Sequence, residues 1–475
     1  MKDLSAKSVK RAMQDLGAIA GEIYEENKLR GSNQEYNPKH SLRKPANKPR
    51  LPSNFRLSQK GTQLFQSVER KAPFIFLTGK AGTGKSTFIQ YVRQNFEGNL
   101  AVVAPTGVAA LNVGGQTIHS LFKFPPKPFD DSEIRPQRTD LFKKLDLLII
   151  DEISMVRADL MDHIDFALRY WRQDSSSFGG LQILVVGDLF QLPPVIGSNA
   201  EREYFSSHYK TSWFFGANVF NKNLPVLAIE FDEIYRQKDE EFIEGLNRIR
   251  VNNQHRSFVA RLNNACFLEK SGRVNQLILT ATNNQADSYN NKKFLAIDSP
   301  SRTYSALKEG YFSLEQRSLP ALEILELKIG TQVMVTKNIM GAVNGTIGDV
   351  VHMGNEVVTI RRHSDSTEVP IERVKWEQYS FQYDEQKKKV VSKIIGTYCQ
   401  IPLRLGWAVT IHKSQGLTLD DVFIDLGNGA FTAGQTYVAL SRCRSINNIK
   451  LAKPIRMSDV QADEEVIRFY KKLFS

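Results

Sequence analysis

Residues 73 to 86 read PFIFLTGKAGTGKS, and the fold class follows from how that stretch is built. It begins as a short apolar run that ends in glycine, the form of a buried strand, and helical character resumes from Ser86 to Phe96. Between strand and helix, Gly79, Gly84, Lys85 and Ser86 fit G-x-x-x-x-G-K-[ST]. In such a loop the glycines let backbone N–H groups close around phosphate oxygens, and the lysine neutralises the distal charge. The expectation is a site for a nucleoside triphosphate, with Ser86 as a ligand of its magnesium ion.

Further apolar runs at residues 101–104, 147–150 and 183–186 end in polar residues or glycine, with helical stretches between them. That alternation predicts an α/β fold with an open parallel sheet covered by helices. LLIIDEIS, residues 147 to 154, delivers Asp151 to the end of a strand, where it can hold magnesium, and sets Glu152 beside it to orient or deprotonate a water. GDLFQLPPV, residues 187 to 195, follows the next strand and offers Gln191 as a γ-phosphate sensor. Charge collecting on the leaving phosphate calls for arginine, and Arg236 in IYRQ and Arg442 in ALSRCR are the candidates.

A second set of apolar runs, at 224–229, 277–280 and 422–426, predicts a second α/β domain. From about 330 to 400 the texture changes to short β-rich runs, an antiparallel insertion in that second half. Residues 123 to 140, KFPPKPFDDSEIRPQRTD, read as a projecting excursion from the first sheet. Residues 36 to 52 hold four prolines and five basic residues with no acid, so 1–52 reads as a basic flexible arm. The expected domains are 53–215 and 216–475.

With 475 residues, several domains are expected. Lysine and arginine number 63 against 51 acidic residues, a net charge of +12, which favours polyanionic partners and puts nucleic acid first. No apolar run nears the roughly 18 residues of a membrane span. The N-terminus lacks the apolar stretch of a secretory signal, so the mature protein is expected to start at Met1. Cys266, Cys399 and Cys443 are too scattered for a disulfide framework, which points to cytoplasm, nucleoid or nucleus. No histidine and cysteine pair has metal-site spacing, leaving magnesium with ATP as the expected metal.

Read in order, LTGKAGTGKST, APTGVAALNVGGQTIHSLF, LLIIDEISM, GDLFQLPPV, YRQ, WAVTIHKSQGLTLD and GQTYVALSRCRS resemble the motif series of superfamily-one helicases, and most closely the PIF-type family of 5′-to-3′ DNA helicases. The resemblance runs from about residue 55 to 450. It implies two RecA-like domains with ATP in the cleft between them, single-stranded DNA across their top, a wedge insertion at 123–140 and an SH3-like insertion at 330–400. It implies nucleotide contacts at Gly79, Ala81, Gly82, Thr83, Gly84, Lys85, Ser86, Thr87, Gln191, Arg236, Gly416 and Arg442, with Ser86 and Asp151 on the metal.

For adenine, Gln59 and Gln63 both lie near the distance the family uses, and neither matches its usual spacing; Gln63 is the residue taken forward. The strand path implied by resemblance uses Pro105, Thr106 and His119 in the first half and His412, Lys413, Ser414 and Gln415 in the second. The implied activity is ATP-driven translocation, about one nucleotide per cycle, and unwinding of forked or partial duplexes, with G-quadruplex or RNA–DNA hybrid as further substrates, by a monomer. Repair, recombination, replication and telomere maintenance are all compatible. Two other classes remain open: a nucleic-acid-stimulated ATPase that remodels protein–DNA complexes without unwinding, and an RNA-directed helicase.

Overall fold

A computed structural model describes residues 51, 55–125, 131–135, 139–196, 199–235, 237, 239–267, 276–312 and 319–474. The N-terminal arm at 1–52, apart from Leu51, lies outside the described residues. The first sheet is built from β1 (Phe74–Gly79), β2 (Leu100–Ala104), β3 (Gln116–Thr117), β4 (Leu147–Ile150), β5 (Gln182–Val186) and β6 (Val226–Phe231), in the order β3-β2-β4-β5-β1-β6. All its pairings are parallel. Strands β1, β4 and β5 are buried along their whole length because helices cover both faces, which is why they read as uninterrupted apolar runs.

The run at 224–229, expected in a second sheet, instead lies in β6, which pairs with β1 from Phe74↔Val226 to Gly79↔Phe231. A half-exposed edge strand carries no signal for which sheet it joins, so the first sheet extends past the expected boundary at residue 215.

The second half begins with the helices Glu240–Arg250 and Arg256–Cys266 and with β7 (Leu277–Thr280). The antiparallel region that follows runs from 301 to 405, wider than the expected 330–400. Its strands are β8 (Ser301–Ser305), β9 (Leu307–Gly310), β10 (Ile324–Lys328), β11 (Gln332–Val335), β12 (Ile347–Met353), β13 (Val357–Arg362), β14 (Glu368–Glu372), β15 (Val374–Asp384), β16 (Lys389–Gln400) and β17 (Leu403–Leu405). Five of them form the sheet β14-β13-β12-β11-β17 around Val333, Val335, Val358, Ile360 and Leu403. The long β15–β16 hairpin leans on the first half, where Gln116 donates to the Tyr379 carbonyl and the Val390 N–H to Asn99. The chain then returns to β18 (Ala408–Thr410), β19 (Val422–Asp425) and β20 (Ile449–Leu451), completing the parallel sheet β18-β7-β19-β20.

The C-terminal segment ties the two halves together. The C-terminal helix Glu464–Phe474 leaves the second half and buries Val466 in the first core; Phe469 stacks on Phe215 at 4.1 Å and the Trp213 indole donates to Asp463. In the excursion at 123–140, residues 126–130 and 136–138 lie outside the described residues, while Phe124 and Ile134 are buried in the first core. No helix among the described residues is long and apolar enough to cross a membrane.

Candidate nucleotide cleft and strand path

The phosphate loop grows out of β1. At Gly79 an added Cβ would lie 2.5 Å from the Phe231 carbonyl of β6, so only glycine lets the two backbones run so close. Gly82 and Gly84 turn the loop with φ of +81° and +84°, and the helix Lys85–Asn95 starts at once. Its first N–H groups therefore face the loop, a favourable seat for an anion. The Lys85 ammonium is held inside the loop by the carbonyls of Gly79 (2.7 Å) and Lys80 (2.9 Å). Burial lowers its proton affinity, while the carboxylates of Asp188 and Glu152 act the other way.

Strand β4 ends against the loop and delivers Asp151 and Glu152. The Asp151 N–H donates to the Val103 carbonyl at 2.9 Å, and Glu152 takes a left-handed φ of +51°. Burial, and then the charge of Glu152, push the Asp151 carboxyl up to about 7. Burial raises Glu152 as well, against the pull of Lys85 and Arg442. Strand β5 supplies Asp188 and, three residues on, Gln191, whose Oε1 accepts from Gln415 at 3.4 Å.

The second half closes the other wall. Arg442, 1% exposed, is held by acceptors that include Val438 O, Ser414 O, Leu417 O and Ser441 Oγ. Together these groups line a cleft of about 1190 Å³, with Ala81 to Thr87, Asp151, Glu152, Asp188 and Gln191 on one side and Gly416, Arg442 and Arg444 on the other. The carboxylates of Asp151 and Glu152 and the hydroxyl of Ser86 are hard oxygen donors on one cleft wall. They fit magnesium.

The structure thus gathers all but three of the expected nucleotide residues on the cleft wall. Gly79 sits at its base as the turn. Arg236 lies outside the described residues; beside it Tyr235 and Asp239 line the cleft, and Gln237 is pinned by bonds to the Ser441 and Cys443 carbonyls. Gln63 does not line it: Ser58 caps the helix Gln59–Glu69, and Gln63 falls on the helix's exposed face. The residues before the cap, Phe55 and Arg56, reach the cleft instead.

Sequence reasoning also missed Asp188, Tyr437, Arg250 and Arg444. Asp188 and Tyr437 lie within quoted motifs, so their place in the pattern was the available signal. Arg250 has none, since it arrives from the end of a helix distant in sequence.

On the expected strand path, Pro105 and Thr106 follow β2 directly, and Thr106 caps the next helix by accepting from the Ala109 N–H. His119 is half-buried with Phe124 edge-on to its ring, and burial favours its neutral form. In the second half, Lys413 is exposed and Gln415 half-buried, while burial keeps His412 neutral. Ser414 does not fit a strand contact: its side chain is fully buried and its hydroxyl donates to the Ile411 carbonyl, because the turn at 412–414 points it inward.

A family model described as PIF1-like helicase matches residues 56–257. The ATP-dependent DNA helicase PIF1 of Mus musculus is 33% identical over 457 residues, covering 92% of this chain and 65% of the relative. The chain thus spans just under two thirds of that relative's length. Among solved structures, Bacteroides sp Pif1 in complex with ADP-AlF4 is 34% identical, with 88% of this chain and 97% of that one covered and a TM-score of 0.80. Bacteroides Pif1 bound to ssDNA, over the same coverage and identity, gives 0.63.

Proposed function

The chain belongs to the PIF1-like helicases, and from that premise we propose that it is an ATP-dependent DNA helicase moving 5′ to 3′ on single-stranded DNA. The observation that carries the proposal is the cleft itself: loop, carboxylate pair and glutamine come from one half, and Arg442 is fixed opposite them by the other. Phosphoryl transfer needs positioning and charge stabilisation, and this is where such groups must stand.

In this reading Lys85 and the loop amides hold the triphosphate, Ser86 and Asp151 hold magnesium, and magnesium neutralises phosphate charge. Glu152 orients the attacking water and takes its proton, a role suited to a carboxyl whose proton affinity is raised by burial. Gln191 senses the γ-phosphate, and Arg442 with Arg236 meets the charge that develops there. The two parallel-sheet halves are RecA-like motor domains, with the β-sheet at 332–405 as the SH3-like insertion.

Single-stranded DNA crosses Pro105, Thr106, His119, His412, Lys413 and Gln415. The Gln415–Gln191 contact then gives the strand a direct line to the nucleotide. The enzyme acts as a monomer on forked or partial duplexes, and G-quadruplex DNA is a further substrate.

Two partial duplexes that differ only in whether the tail is 5′ or 3′, with Glu152→Gln as control, test the proposal. Unwinding of the 5′-tailed duplex alone, lost in the control, is expected. Unwinding of neither, with ATP hydrolysis still stimulated by DNA, would point to a remodelling ATPase.

A further inference from the structure

The loop that carries Gln191 is gripped from both halves at once. Phe190 packs into the first core, and Leu192, two residues on, into the second. Asp188 at its start is buried and meets two side chains from the second half. Arg250, at the end of the helix whose Phe242, Leu246 and Ile249 lie in the second core, donates to Asp188 Oδ1 from Nη2 (3.0 Å) and Nε (3.2 Å). Its guanidinium lies 4.4 Å from the Phe190 ring centroid and also reaches Glu230 of β6 at 3.4 Å. Burial works against the Arg250 charge, and Asp188 together with Tyr470, Tyr437 and Glu230 outweighs it.

On the other carboxylate oxygen stands the Tyr437 hydroxyl, 3.3 Å from Asp188 Oδ2, and the same hydroxyl accepts from the Ala81 N–H of the phosphate loop at 3.3 Å. Asp188 Oδ1 also accepts from the Phe190 N–H, which sets the turn leading to Gln191.

We propose that Asp188, Arg250 and Tyr437 form a joint that positions Gln191 and the phosphate loop when the two halves meet, so that Arg250 and Tyr437 are positioning residues for ATP hydrolysis. The proposal rests on the helicase reading above. Its logic is geometric. A single buried carboxylate receives a cation and a phenol from one half and holds a backbone turn of the other. A change in the approach of the halves therefore moves the sensor loop and the phosphate loop together. A buried ion pair commonly contributes little net stability, so fixing geometry is the more economical account of this one.

The test uses the full chain and follows kcat and KM for ATP hydrolysis with and without single-stranded DNA, together with binding of a fluorescent ADP. Tyr437→Phe keeps the ring and removes only the hydroxyl, and kcat is expected to fall about tenfold with KM and ADP affinity within about threefold. Arg250→Met is expected to lose more, and Arg250→Lys to recover part of that loss by keeping the charge. The double variant Tyr437→Phe with Arg250→Met should fall no lower than Arg250→Met alone, because both act through one carboxylate. A Tyr437→Phe enzyme with parental kcat, an effect confined to KM, or losses that multiply would each overturn the joint. Failure of the helicase reading looks different: a parent that does not unwind the 5′-tailed duplex and whose ATP hydrolysis DNA does not stimulate, whatever the variants do to kcat.

Discussion

Asp151 offers the sharpest test of the cleft chemistry. Its carboxyl stands at about 7 against an ordinary 3.8, a rise of roughly three units whose first cause is burial and second the charge of Glu152. At about 1.4 kcal/mol per unit, holding Asp151 ionised in the nucleotide-free fold costs on the order of 4 kcal/mol. The folded chain binds the proton more tightly than the unfolded one, so the stabilisation is complete below the unfolded value and disappears as pH rises through about 7. Asp151→Asn is neutral throughout. Part of the difference is already present at pH 5, where the unfolded parent ionises. Between about pH 5 and pH 8.5 the variant's advantage should therefore widen by on the order of 3 kcal/mol, several degrees in melting midpoint. The assay is thermal melting of both proteins across that range without nucleotide, and then with magnesium and ADP, which should narrow the gap by setting a cation beside the carboxylate. Parallel curves without nucleotide would refute the reasoning, since the carboxylate would then be compensated within the fold.

Three further outcomes are expected. Lys85→Ala should abolish DNA-stimulated ATP turnover while leaving the circular dichroism spectrum intact, because the ammonium bonds to the Gly79 and Lys80 carbonyls of its own loop; retained turnover would sink the site assignment. Gly434→Ala places a Cβ 2.6 Å from the Phe190 carbonyl, and closer still to that of Gln191, at a φ of +74°. It should cost about 1–2 kcal/mol for the backbone alone and lower kcat as well, read by urea unfolding and steady-state hydrolysis. Val466→Ala, at a fully buried position of the C-terminal helix, should cost about 1–3 kcal/mol in urea unfolding with DNA affinity unchanged.

How much of this was legible in the sequence depends on whether neighbours in space are neighbours in the chain. The phosphate loop, the Asp151–Glu152 pair and Gln191 each follow a buried strand within a few residues, so the strand's apolar run announces the side chain it delivers. The same locality misplaced the run at 224–229, because pairing partner is a tertiary property and an edge strand reads alike in either sheet. It also misplaced Gln63: a one-residue change in where Ser58 caps its helix decides which face a glutamine occupies. Ser414 lies inside a motif and is nonetheless turned inward, since a motif fixes the path of the backbone and leaves each side chain's direction to the turn.

Arg250 marks the limit of such reasoning, and its place explains why. A buried arginine needs a carboxylate partner, and in sequence Asp188 lies 62 residues away, on an element of the other half. Nothing local distinguishes Arg250 from Arg248 two residues earlier, which stays on the surface and pairs with Glu244 on its own helix. The difference arises only when the helix packs, because a step of two residues turns the side chain through more than half a helical turn, from solvent to seam. Residues that bind a ligand recur in recognisable company, whereas residues that join two halves are specified by the docking itself. The joint at Asp188 therefore had to be seen in three dimensions, although one of its three members lies in each of two motifs that the sequence did reveal.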